Sequence, residues 1–176
     1  MYKVLTIGGK DYRLEYTIEA ALYKDGVDRL IDFLGGTFGA EGADAIAEKL
    51  PNEDDKRTAR VEIVKNLKSE VTNLPNTALI LFYSGLLEHH GEDGDQSVMS
   101  ISEAKHLAKQ LFTEQPDDGI KDFASLLATC INQMGTDGFF KTTGLETLMK
   151  NAEKSSEVAV PNRATHRAKA KASANK

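Results

Sequence analysis

Pro75-Asn76-Thr77-Ala78-Leu79-Ile80-Leu81-Phe82-Tyr83-Ser84-Gly85-Leu86-Leu87 is the stretch whose reading decides the fold. Proline suits the first turn of a helix, and from Ala78 onward the residues are apolar nearly all round. A helix of that kind has no face to give to water, so neighbouring helices must cover it. The chain is therefore expected to be mainly α, a helical bundle with this segment at its centre.

Working outward toward the N-terminus, residues 53–74 predict a helix that opens on Glu53, Asp54 and Asp55 near its positive end. Ile63, Val64, Leu67, Val71 and Leu74 are expected to line one face of it. Residues 35–52 are rich in Gly and Ala and carry only a weak helical pattern, Ala43, Ile46, Ala47 and Leu50, before Pro51. Ahead of them Ile18, Ala21, Leu22, Val27, Leu30, Ile31 and Leu34 recur at helical spacing. Thr17 is expected to cap that helix, Gly26 to interrupt or kink it, and Gly35-Gly36 to end it. At the start, Tyr2-Lys3-Val4-Leu5-Thr6-Ile7 and Tyr12-Arg13-Leu14-Glu15-Tyr16 alternate in polarity around Gly8-Gly9-Lys10-Asp11, which predicts a β-hairpin with one apolar side. A hairpin alone is marginal in water, so the bundle must cover that side.

Toward the C-terminus, Ser100-Ile101-Ser102-Glu103 has the pattern of a capping box, with Ala104, Leu107, Ala108, Leu111 and Phe112 following on one face. Beyond Gln115-Pro116-Asp117-Asp118-Gly119, another amphipathic helix is predicted from Ile120, Phe123, Leu126, Leu127, Cys130, Ile131 and Met134. Gly135 and Gly138 break it, and Leu145, Leu148 and Met149 suggest a last short helix. The expected organisation is a hairpin-plus-bundle domain over residues 1–154 and a flexible basic C-terminal tail over residues 155–176. That tail has no Phe, Tyr or Trp to bury against the entropy of ordering it.

Composition narrows the function classes. The 176 residues are 40% hydrophobic and 28% charged, too apolar for wholesale disorder and too polar for a membrane-embedded chain. No run reaches the roughly 18–20 apolar residues of a membrane span, and the first residues lack the pattern of a signal peptide, so export is not expected. The single cysteine, Cys130, excludes an internal disulfide and fits a reducing compartment. From Pro161 on there are Arg163, Arg167, Lys169, Lys171 and Lys176 with no acid. Removing these five charges from the chain's net −5 leaves residues 1–160 at −10. An acidic body and a basic tail are expected.

No familiar catalytic or cofactor pattern holds up. Gly35-Gly36-Thr37-Phe38-Gly39-Ala40-Glu41-Gly42 lacks both the preceding strand and the spacing of a dinucleotide loop, and Gly9-Lys10 lies in a hairpin turn without the upstream glycine of a P-loop. Glu88-His89-His90-Gly91-Glu92-Asp93-Gly94-Asp95 offers imidazoles and carboxylates. Adjacent histidines point about 100° apart on a helix, however, and so do not face one ion. A calcium loop counted from Asp93 would place Val98 where glycine is needed and Ala104 where the final acid belongs. The expected reading is a solvated helix end with histidine near the negative pole of the helix. Cys130 lies on an apolar helix face and Ser84 within a helix, so both are expected to pack. No catalytic residue, cofactor or metal site is expected. The basic tail admits a second reading, a small regulatory or nucleic-acid-binding adaptor. The absence of stacking aromatics and the acidic body argue against nucleic acid.

Three segments resemble the tail assembly chaperone family of long-tailed phages and prophages of Gram-positive bacteria. They are Tyr2-Lys3-Val4-Leu5-Thr6-Ile7-Gly8-Gly9-Lys10-Asp11-Tyr12-Arg13-Leu14-Glu15-Tyr16 continuing to Leu22, Ala78-Leu79-Ile80-Leu81-Phe82-Tyr83-Ser84-Gly85-Leu86-Leu87-Glu88-His89-His90 continuing into Ser102-Glu103-Ala104, and Met134-Gly135-Thr136-Asp137-Gly138-Phe139-Phe140 continuing to Glu146. The resemblance implies a non-enzymatic role in phage tail and virion assembly in the bacterial host cytoplasm. The protein would coat the tape measure protein before the tail tube polymerises, and would be absent from the mature virion. It also implies contact with the major tail tube protein through a frameshifted longer form, and leaves self-association open. The expected partner-binding residues are Phe139 and Phe140, as apolar surface in a Gly-flanked segment, and Arg163, Arg167, Lys169 and Lys171 in the tail. The alternative for the two rings is that they close the end of the bundle.

Overall fold

The computed structural model describes residues 1–48, 53–114 and 119–147, the span 37–70 by its backbone alone. The fold is mainly helical with an N-terminal two-stranded antiparallel hairpin. Strands β1 (Lys3–Ile7) and β2 (Lys10–Leu14) are followed by α1 (Ile18–Leu22), α2 (Lys24–Glu48), α3 (Glu53–His90), α4 (Ile101–Glu114), α5 (Phe123–Thr136) and the single turn α6 (Phe139–Thr142). Residues Met1–Phe139 form one compact unit and a second begins at Phe140. Of the second unit, residues 140–147 are described. They hold the end of α6 and a helical turn after Gly144. The domain boundary expected at 154/155 lies outside the described residues.

The hairpin follows from its turn. Ile7 pairs with Lys10, leaving Gly8-Gly9 as a two-residue loop, and both glycines have positive φ (61° and 75°). That geometry matches the twist of the flanking strands and strongly favours glycine. Alternation then puts Leu5, Ile7, Tyr12 and Leu14 on one buried face. Thr6 and Asp11, paired across the other face, share a hydrogen bond of 2.8 Å. The outer edge of β2 is covered by the end of α3. Arg13 N–H donates to Nε2 of His90 at 2.9 Å, and Glu15 N–H donates to the carbonyl of Gly85 at 2.8 Å. A sheet edge capped in this way cannot pair with another chain. The turn is held from the other side, where Gly8 N–H donates to the Glu114 carboxylate at the end of α4.

The centre of the unit is the C-terminal part of α3, as its all-apolar sequence predicts. Ala78, Ile80, Leu81, Phe82 and Leu86 are buried, and Ser84 turns its hydroxyl inward onto the carbonyl of Leu81 at 2.8 Å. Helix α5 contributes Leu126, Leu127, Cys130 and Met134 to the same core, and α4 contributes Ala104, Ala108 and Leu111. At the start of α4 half of the expected capping box forms: Glu103 N–H donates to the Ser100 hydroxyl at 3.3 Å, while the Glu103 carboxylate accepts from the Ser100 hydroxyl and from the N–H of Met99 instead of that of Ser100. A complete capping box, Asp122 with Ser125, starts α5.

Several helix boundaries differ from the sequence expectation. Pro75 lies inside α3, so the two helices expected on either side of it are one. Proline removes the N–H that would bond the carbonyl of Val71, but Val71 is 69% exposed and water can take that carbonyl. Helix α2 runs through Gly35-Gly36 to Glu48 instead of ending there. Two interior glycines cost about 1 kcal/mol each, which packing along α3 can offset. The interruption expected at Gly26 falls at Tyr23, whose extended backbone (φ −76°, ψ 93°) separates α1 from α2. Thr17 makes no side-chain cap bond. Its hydroxyl instead meets the carboxylate of Glu88. In α1 only Ala20 is buried, while Ile18 and Leu22, expected inside, are exposed. Helix α5 carries Gly135 within it and ends just before Asp137 and Gly138.

Candidate functional site

The strands, α3 and α5 converge on Tyr16. Its backbone N–H donates to Oδ2 of Asp137 at 2.9 Å, its phenol donates to the carbonyl of Leu81 at 2.9 Å, and its ring meets Phe139 edge-on with centroids 5.8 Å apart. Asp137 is itself buried and also accepts from Nε2 of Gln133 at 2.8 Å. Close packing of the strand end on the helix depends on Gly85. Any side chain there would collide with Leu14 and Tyr16. Cys130 lies beside the Tyr16 hydroxyl in this junction. Burial pushes the Cys130 thiol up to about 12 and the Tyr16 phenol well above its ordinary value, so neither supplies an ionised nucleophile near neutral pH. Among the described residues no buried side-chain polar atom lacks a hydrogen-bond partner, so this junction is a satisfied structural core.

The histidine pair does not form the solvated helix end expected of it. His90 is only 4% exposed. Its Nε2 accepts the Arg13 N–H, while Nδ1 faces Asp95 Oδ1 at 3.0 Å and Ser97 Oγ at 3.1 Å. An Nε2 that accepts requires the proton on Nδ1, where the Asp95 carboxylate receives it. His89 turns the other way, with Nε2 2.7 Å from Glu15 Oε2. The two rings thus hold the hairpin and the loop after α3 in place. Among the described residues no three His, Cys, Asp or Glu side chains gather as a metal cluster.

A surface groove of about 520 Å³ opens between α3, α4 and the start of α5. Leu79, Ala108, Phe112 and Phe123 form its apolar floor, with the Phe112 and Phe123 rings edge-to-face at 5.1 Å. Lys105, His106 and Lys109 of α4 stand along its rim, and among the described residues no acid lines it. Among the described residues neither Lys105 nor Lys109 has an acidic partner. The volume falls in the range of roughly 300–1,000 Å³ usual for binding pockets. Sequence reading missed the groove because α4 reads as an ordinary amphipathic helix. The available signal was Phe112, an aromatic at the border of the apolar face, preceded by Lys105 and Lys109 one turn apart.

The residues expected to touch a partner fall elsewhere. Phe139 is 3% exposed and belongs to the core through Tyr16. Its ring is not available as surface in the folded unit. Phe140, half-buried, belongs to the second unit. Arg163, Arg167, Lys169 and Lys171 lie outside the described residues. No helix among the described residues is long and apolar enough to cross a membrane. Comparison with protein-family models, curated proteins and solved structures returns no match.

Proposed function

We propose that this chain is a non-catalytic tail assembly chaperone, which holds the tape measure protein of a long-tailed phage or prophage and assists assembly of the tail tube in the host cytoplasm. One observation carries the reading. The three segments of the family resemblance are far apart in sequence, yet they supply the residues that meet at Tyr16. The first gives Leu14 and Tyr16, the second Leu81 and Gly85, and the third Asp137 and Phe139. A long apolar helical client needs a holder with an accessible apolar surface, and the groove along α4 offers one. In this reading a longer frameshifted form contacts the tail tube protein, and the basic tail meets acidic partner surface.

Co-expression with the tape measure protein tests the proposal. A soluble complex recovered on a tag carried by either partner is the expected result. A client that stays soluble alone and never co-purifies overturns it.

A further inference from the structure

We infer that the groove between α3, α4 and α5 is a docking slot for an amphipathic partner helix that carries acidic residues beside its apolar ridge. The inference rests on the reading of the chain as a holder of a helical client, and adds the surface and the chemistry of recognition. The floor supplies the apolar half of the match through Leu79, Phe112 and Phe123. The rim supplies the charge: Lys105 and Lys109 are one turn apart on α4, about 6 Å along its axis, and lack acidic partners among the described residues. This is a cationic edge on an otherwise acidic body, since residues 1–160 carry −10. A partner with carboxylates four residues apart on one helix face would place them at the same spacing as the two ammoniums. An apolar ligand with a single carboxylate would leave one ammonium without a partner. The repeated charge therefore favours a helix over a fatty acid. Helix-in-groove docking takes its affinity from the apolar anchors and its selectivity from the flanking charges.

The test uses the full chain and a pair of helical peptides, each roughly 21 residues long so that helicity is supported. Both carry a leucine ridge, one flanked by Glu at i, i+4 spacing and the other by Lys at the same positions. The native chain is expected to bind the Glu-flanked peptide about tenfold more tightly, from two surface charge pairs together with avoidance of like charges. K105E/K109E is expected to reverse that preference, and K105S/K109S to abolish it. Both lysines are exposed, so the variants should melt as the native chain does.

Equal binding of the two peptides, or binding of oleate in place of either, overturns the inference. So does a self-associated chain that K105E/K109E dissociates and the peptide does not, because the slot would then be a contact between copies. Retention of the tape measure protein equally by the native chain and K105E/K109E overturns the slot and leaves the chaperone reading intact. The expected peptide pattern without any capture of the tape measure protein supports the slot and overturns the chaperone reading.

Discussion

Gly85 holds its bare Cα against the ring of Tyr16, so close that a Cβ there would lie 2.7 Å from Cζ of that ring and 2.6 Å from Cδ1 of Leu14. The hairpin reaches the central helix because this one position is empty. Gly85→Ala would gain about 1 kcal/mol of helix propensity. It would lose more to overpacking, because both neighbours are fully buried and such insertions cost roughly 1–3 kcal/mol or more. A net loss of about 1–2 kcal/mol is expected in urea titration. An unchanged or raised midpoint would show that the junction can open without cost.

His90 joins the hairpin edge to α3 through a single acceptor nitrogen. His90→Phe keeps a ring of similar shape but leaves the Arg13 N–H unpaired in a covered position, at a cost of about 1–3 kcal/mol. Hydrogen exchange at the Arg13 amide should quicken more than at the Lys3 or Leu5 amides of β1, which bond across to β2. Uniform change across both strands would contradict the local role.

Asp95 gives the fold an acid-sensitive contact. The Ser97 hydroxyl is the largest cause of its pKa lying well below the ordinary carboxylate value, and the hydrogen bond with His90 adds to it. A carboxylate lowered in the folded state stabilises the fold above its unfolded pKa of about 3.9, and that contribution fades as pH falls from there toward the folded value. Between about pH 5 and pH 2 the native chain should therefore lose Tm more steeply than Asp95→Asn. Equal slopes would mean that the contact contributes nothing.

Cys130 reports on the whole unit. With its thiol pushed up to about 12 by burial, it should not react with Ellman's reagent near pH 8 while the chain is folded, and should react fully in denaturant. Rapid labelling of the native chain would show that α5 opens locally far more often than its packing implies.

Much of this architecture was legible in the sequence, and the parts that were not have physical causes. The hairpin was readable because Gly8-Gly9 names its turn, and α4 because Ser100 and Glu103 name its start. The placement of residues 78–87 at the centre followed from their lack of any polar face. Pro75 and Gly35-Gly36 misled because local preference is a weak signal, and packing between long helices outweighed it. Val71 could tolerate the missing donor only because it faces water, which no local pattern reveals. Gly85 and His90 owe their roles to the hairpin, about seventy residues earlier in the chain for each contact. Phe139 was readable as apolar but not as buried, because its covering ring belongs to Tyr16 at the other end of the unit.

The central claim is that this chain holds a tape measure protein, and soluble recovery of that client measures it most directly. The client would be expressed alone, with the native chain, and with K105E/K109E, and the soluble fraction analysed by size-exclusion chromatography with light scattering. The account predicts an insoluble client alone, a soluble complex of defined mass with the native chain, and reduced recovery with the variant. A client equally soluble with and without the chain, eluting apart from it, would contradict the account.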